Sequence, residues 1–277
     1  MINSFIEMFS YSFMVKAFIC GILISFCASL IGVILVLKRN SMIGDGLSHV
    51  GFGAFAIATA FGFAPLWFAL PVVVILSFFI LQLSDNTKIH GDAAIALLSA
   101  SSLAIGTFVI SIVKGVNTDI NSYLFGSILS ISDADIIICI IVSVLITLLY
   151  IISYNKIFAI TFDERFAKSI GIKTNLYNMV FASLCSVIVV LGMRLMGALL
   201  ISSLIIFPTL SSWQCFNKFK SVIISSVCIS IITFTIGLTT SYMLETPTGS
   251  TIVITNLIVL IFAMLIKKIT NLLKIKK

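Results

Sequence analysis

Charge is scarce in this chain. Of its 277 residues only 10% are Asp, Glu, Lys or Arg, against 60% hydrophobic, and the mean hydropathy is +1.23. A soluble domain carries roughly a quarter of its residues charged, so a water-soluble fold of this length could not solvate its own surface. Proline is rare, at four residues, and histidine rarer, at two. Absent altogether are a G-x-x-x-x-G-K-[ST] loop to cradle ATP phosphates, an H-E-x-x-H metalloprotease motif and a G-x-S-x-G nucleophile elbow. If ATP drives this protein, another chain must hydrolyse it. The six cysteines, at positions 20, 27, 139, 185, 215 and 228, form no C-x-x-C pair and read as reduced helix residues. Glu7 and the lack of a basic segment ahead of the first apolar run make a cleaved signal peptide unexpected.

What the chain does have is apolar length. Runs of about twenty residues recur throughout, each able to cross a hydrocarbon core about 30 Å thick as a helix rising 1.5 Å per residue. They are too long and too evenly apolar for barrel strands, and backbone groups in lipid must be satisfied within the segment. The expected fold is all-α, a polytopic transmembrane bundle with eight to nine spans in a single domain covering residues 1–277. The spans are placed at about Ala17–Leu37, Asp45–Gly62, Pro65–Leu83, Ala93–Val113, Ala134–Ser153, Leu176–Met196, Ala198–Trp213, Val222–Leu244 and Thr251–Ile266.

The net charge of +7 could suggest nucleic acid, but the basic residues sit in short loops and at the C-terminus, where membrane orientation explains them better. An outward N-terminus puts fourteen of the seventeen basic residues in cytoplasmic loops or the C-terminal tail. Only Lys16, Lys114 and Arg194 fall outside. The C-terminus is therefore expected in the cytoplasm.

Against this apolar background Asp45 and His49 stand four residues apart in IGDGLSHVGFG, on one face of the second span. A carboxylate and an imidazole together suit zinc, manganese or iron(II). Alternatively Asp45 caps the helix at the interface and His49 hydrogen-bonds a neighbouring helix. Gly44, Gly46, Gly51 and Gly53 around the pair allow close helix packing or a broken helix. His90 reads as a loop residue and Asp92 as a helix cap; Asn117, Asp119 and Asn121 lie in the longest outward loop, and Pro208 interrupts the hydrogen bonding of its span.

The inward segment 154–178 is too polar to span. Phe162, Phe166 and Ile170 recur every four residues, opposite Asp163, Glu164, Arg165 and Lys168, which predicts a short amphipathic helix on the cytoplasmic face. Such a helix can rest on lipid headgroups or present its phenylalanines to a cytoplasmic partner.

Several motifs in order resemble the zinc, manganese and iron permeases of bacterial metal-uptake ABC transporters. They are MIGDGLSHVGFGA at Met42–Ala54, GDAAIALLSASSLAIG at Gly91–Gly106, NTDINSYLFGSIL at Asn117–Leu129, FDERFAKSIGI at Phe162–Ile172, LGMRLMGALLISSLIIFPTLSS at Leu191–Ser212 and TPTGS at Thr246–Ser250. The resemblance implies that Asp45 and His49 line an intramembrane site for a transported zinc or manganese ion, with no cofactor bound permanently. It implies that the segment around Phe162, Asp163, Glu164, Phe166, Ala167 and Gly171 is the coupling helix on a separate ATPase subunit. It further implies a permease homodimer in the bacterial plasma membrane, an extracytoplasmic metal-binding protein that delivers the ion, and no catalytic residue in this chain. Rival readings are a permease for a metal chelate, an ion-coupled secondary transporter that would need no coupling helix, and a membrane enzyme.

Overall fold

A computed structural model describes residues 7–86, 91–113, 126 and 131–275, the side chains of 83–86 and 273–275 excepted. Its described residues are overwhelmingly helical. In chain order the helices are α1 (Ser12–Leu37), α2 (Met42–Ala60), α3 (Pro65–Asn86), α4 (Gly91–Ile112), α5 (Asp133–Phe162), α6 (Glu164–Ser169), α7 (Thr174–Met196), α8 (Ala198–Cys215), α9 (Phe219–Leu244) and α10 (Thr248–Ile275). Nine of these match the nine expected spans, and α6 is the short additional helix. The segments with His90, Asn117, Asp119 and Asn121 lie outside the described residues, and Asp92 sits in the first turn of α4.

Eight of the described helices are long and apolar enough to cross a membrane. The ninth, α2, is not among them, because Asp45, Ser48, His49 and four glycines interrupt its apolar residues. Its position compensates: α2 packs against α3, α4, α7 and α8, and residues such as Leu47, Val50, Phe52 and Phe55 are almost fully enclosed. With α1, α7 and α8 it forms the interior of the bundle, while α4 and α5 keep most of their apolar surface exposed, as lipid- or partner-facing helices do.

Close approach of α2 and α4 depends on Gly53. A Cβ there would sit 2.6 Å from the Ser102 carbonyl oxygen, and Gly106 of α4 faces it in turn. Small residues at such crossings let backbones touch where lipid supplies no hydrophobic drive for association. Between α7 and α8 the chain turns on the single residue Gly197, with φ of 89°. That conformation is open to glycine and strained for other residues, so Arg194, just before the turn, is placed at one end of the bundle. Helix α8 continues unbroken through Pro208.

Two of the basic residues that fall on the outward side in the sequence reading are ion-paired at that end. Lys16 Nζ lies 2.6 Å from Asp133 and Arg194 lies 2.8 Å from the buried Asp135, both acids belonging to the first turn of α5. All six cysteines are free thiols, four of them buried.

Candidate functional site

The N-cap of α2 is Ser41, whose side chain makes no capping bond. Asp45 lies within the first turn, so it is not the cap residue of the alternative reading. One turn separates it from His49, and the spacing brings Asp45 Oδ2 to 3.6 Å from His49 Nε2. That is beyond a good hydrogen bond, yet two donors each about 2.1 Å from a tetrahedral ion lie about 3.4 Å apart. On a helix mostly enclosed by its neighbours, the pair stays accessible: the Asp45 and His49 side chains are 43% and 28% exposed.

Two serines stand beside the pair. Ser48 Oγ donates to the Asp45 carbonyl at 2.7 Å and lies 3.4 Å from Ser202 Oγ of α8. His49 Nδ1 is buried and without a hydrogen-bond partner among the described residues. An imidazole whose Nε2 ligates an ion ordinarily donates its other N–H to a carbonyl, carboxylate or water. No cluster of three or more His, Cys, Asp or Glu occurs among the described residues. The described residues thus bring together two such donors, fewer than the four a tetrahedral ion takes. Ser202 had no distinguishing signal in the sequence beyond its place in the LISSLIIFP run of α8.

At the opposite functional candidate the expected helix is broken. Phe162 is the last residue of α5, not part of the short helix, because Asp163 adopts an extended conformation (φ −148°, ψ 96°). Asp163 then caps α6, its carboxylate accepting from the Phe166 N–H at 2.9 Å. Ile170 is the C-cap residue and Gly171, at φ of 84°, closes the turn. The three apolar residues therefore do not share one helix, although all are exposed, at 60%, 57% and 55% for Phe162, Phe166 and Ile170. Rings of Phe158, Phe162 and Phe219 pack together at centroid distances of 4.9 to 5.8 Å. Ala167 is fully buried, so it seats α6 on the bundle and leaves outward contact to its neighbours.

Glu164 likewise points inward. Its carboxylate pairs with Lys38 at 3.2 Å and Lys168 at 3.4 Å. Desolvation pushes its pKa upward, but the two ammonium groups outweigh that and hold it below the ordinary glutamate range.

Residues 10–267 match the model of the ABC 3 transport family. A probable metal transport system membrane protein from Thermotoga maritima is 31% identical over 253 residues, spanning 91% of this chain and 89% of that one. The manganese import system permease protein ScaB of Streptococcus gordonii is 28% identical, with 96% of each chain covered. Among solved structures, PsaBC from Streptococcus pneumoniae, determined in complex with Fab, superposes with a TM-score of 0.88 at 29% identity over the whole of both chains. With a family match over nearly its full length and a relative above 30% identity across nine-tenths of it, this chain belongs to the ABC 3 transport family.

Proposed function

We propose that this chain is the membrane-spanning permease subunit of an importer that brings a divalent transition metal, zinc or manganese, into the cell. The observation that carries this reading is the Asp45 and His49 pair, an acid and an imidazole 3.6 Å apart on the one long helix too polar to face lipid. The ion is held by Asp45 Oδ2 and His49 Nε2 during passage, and alternating exposure of α2 to the two sides moves it across. Among the described residues only these two donors meet, and the ion's remaining ligands are not assigned; the permease works as a homodimer, as the family resemblance implies.

ATP is hydrolysed by a separate cytoplasmic subunit seated on α6, with the exposed Phe162, Phe166 and Ile170 as its apolar contacts. An extracytoplasmic metal-binding protein delivers the ion at the far end of the bundle. The concentration of basic residues around α6 and the C-terminus supports a cytoplasmic location for that end, in a multi-pass plasma-membrane protein.

The experiment is uptake of manganese and of zinc by cells whose only importer of this type carries Asp45→Asn or His49→Ala. Each change removes one ligand, and loss of uptake by at least about tenfold is expected, since even second-shell partners of metal ligands cost 10 to 100-fold. A residue with a merely structural place in the first turn tolerates asparagine. Near-normal uptake by both variants at normal membrane levels would place the ion's path elsewhere.

A further inference from the structure

The short helix α6 is joined to the bundle through a closed triangle of charge-assisted bonds. Lys38 Nζ donates to Glu164 Oε2 at 3.2 Å and to Asn178 Oδ1 at 2.8 Å, while the Asn178 amide donates to Glu164 Oε1 at 3.2 Å. Three elements meet here: the end of α1, the first residue of α6 and the early turns of α7. The Lys38 side chain is only 13% exposed and that of Glu164 33%, so the triangle is shielded from water more than an ordinary surface pair. Bonds of this kind, with both partners charged and a third group bridging, fix geometry as well as contributing energy.

What lies on the other side of Lys38 gives the triangle its significance. Lys38 is the C-cap residue of α1, and the chain runs from it through Arg39, Asn40 and Ser41 straight into α2. That connection is stiff. Arg39 takes a left-handed conformation, the Asn40 N–H donates to the Leu35 carbonyl at 2.8 Å, and the Ile43 N–H donates to the Asn40 carbonyl at 3.1 Å. A displacement of Lys38 therefore shifts the start of α2 instead of being absorbed by slack. The first turn of α2 carries Asp45. On one flank the cluster borders a cavity of about 320 Å³, lined in part by Lys38, Asn40, Gln82, Glu164, Asn175 and Asn178. Polar side chains around free volume can re-pair without repacking a core.

We propose that Lys38, Glu164 and Asn178 are positioning residues that transmit movement of α6 to the N-terminal end of α2, and so to Asp45 and His49. The inference rests on the reading of α6 as the ATPase-docking element and of the α2 pair as the ion site. It assigns to Glu164 an inward role, where the family resemblance groups it with the residues of the coupling helix on the ATPase subunit. A static staple would need the same bonds but would not couple ATP hydrolysis to ion movement, and this difference is measurable.

The test uses the complete complex of permease and ATPase subunit in proteoliposomes, with manganese as the transported probe. Lys38→Met and Asn178→Leu should retain the ATPase subunit on purification and hydrolyse ATP at a rate within about twofold of the unaltered complex, while manganese moved per ATP falls about tenfold, the scale on which network residues couple. The exchange Lys38→Glu with Glu164→Lys should recover a substantial part of that ratio. If manganese per ATP is unchanged in both single variants, the transmission role is wrong. It is equally wrong if uptake falls only in proportion to ATPase subunit lost, because that is the staple. Should Lys38→Met fail to accumulate, Asn178→Leu, which leaves both charges in place, decides alone. Failure of the underlying docking reading shows separately, as undiminished ATPase retention when Phe162 and Phe166 are both changed to Ala.

Discussion

Arg194 and Asp135 form the most enclosed ion pair in the molecule's described residues, and its removal can be worked through from the geometry. Asp135 is 5% exposed and its carboxylate is fully engaged: Oδ2 accepts from the Ser132 N–H at 2.9 Å and from the Ser132 hydroxyl at 2.7 Å, and Oδ1 takes Arg194 at 2.8 Å. Arg194→Met leaves Oδ1 buried, charged and unpaired. Breaking a buried pair in this one-sided way costs about 3–5 kcal/mol. Since the Arg194 side chain is 36% exposed, solvent screening brings the figure down to about 2 kcal/mol. At roughly 2–4 °C per kcal/mol for a chain of this size, the apparent midpoint of thermal unfolding should drop by about 5 °C. Asp135→Asn should cost less, because the arginine it frees can rehydrate and the amide oxygen still accepts from Ser132. The double variant should then be no worse than Arg194→Met alone. The assay is loss of monodispersity of the detergent-purified protein on heating, for all four proteins in parallel. Additive effects, to within about 0.5 kcal/mol, would refute the coupling, and an Arg194→Met protein melting with the unaltered one would refute the burial argument itself.

The proposed docking surface makes a second prediction: Phe162→Ala with Phe166→Ala removes two rings that are more than half exposed, so the permease should still insert but retain several-fold less ATPase subunit on purification. A third concerns pH. The Glu164 carboxyl is held below its ordinary value of 4.5 by Lys38 and Lys168, and a depressed carboxylate contributes stability above that value which is lost as pH falls through the lower, folded-state pKa. Amide hydrogen exchange in residues 164–169 should stay slow at neutral and mildly acidic pH and accelerate only below the ordinary glutamate range. Glu164→Gln should remove the Glu164 share of that response; an unchanged profile would show that the pairs with Lys38 and Lys168 do not anchor α6.

The spans were legible because lipid imposes a length and a composition that few other environments demand, and the nine apolar runs became nine helices. Asp45 and His49 were legible for the same reason: charge within an apolar run needs an explanation. The break at Asp163 was hidden by periodicity, since Phe162, Phe166 and Ile170 keep a four-residue rhythm across a joint where only the backbone of one residue departs from the helix. An aspartate three residues before Phe166 was a capping signal that could have exposed it. Ser202 was not readable, because a serine in a spanning helix commonly bonds its own preceding turn, as Ser202 also does to the Ala198 carbonyl at 3.2 Å. Lys38 was read as a charge that orients the membrane protein, and its partners at 164 and 178 are far away along the chain. Only folding brings them together.

The polarity of α2 has a consequence for how the protein is made. A helix bearing an aspartate, a histidine and four glycines is a poor candidate for leaving the translocation machinery on its own, since it falls short of the apolar content that its spanning neighbours have. Its neighbours are strongly apolar, and short loops tie it to α1 before it and α3 after it. Entry of α2 into the bilayer is thus a cooperative event that depends on helices made earlier and later. Replacing Asp45 and His49 by apolar residues would ease its insertion and erase the proposed ion site, so on that reading biogenesis and transport pull the composition of this one helix in opposite directions.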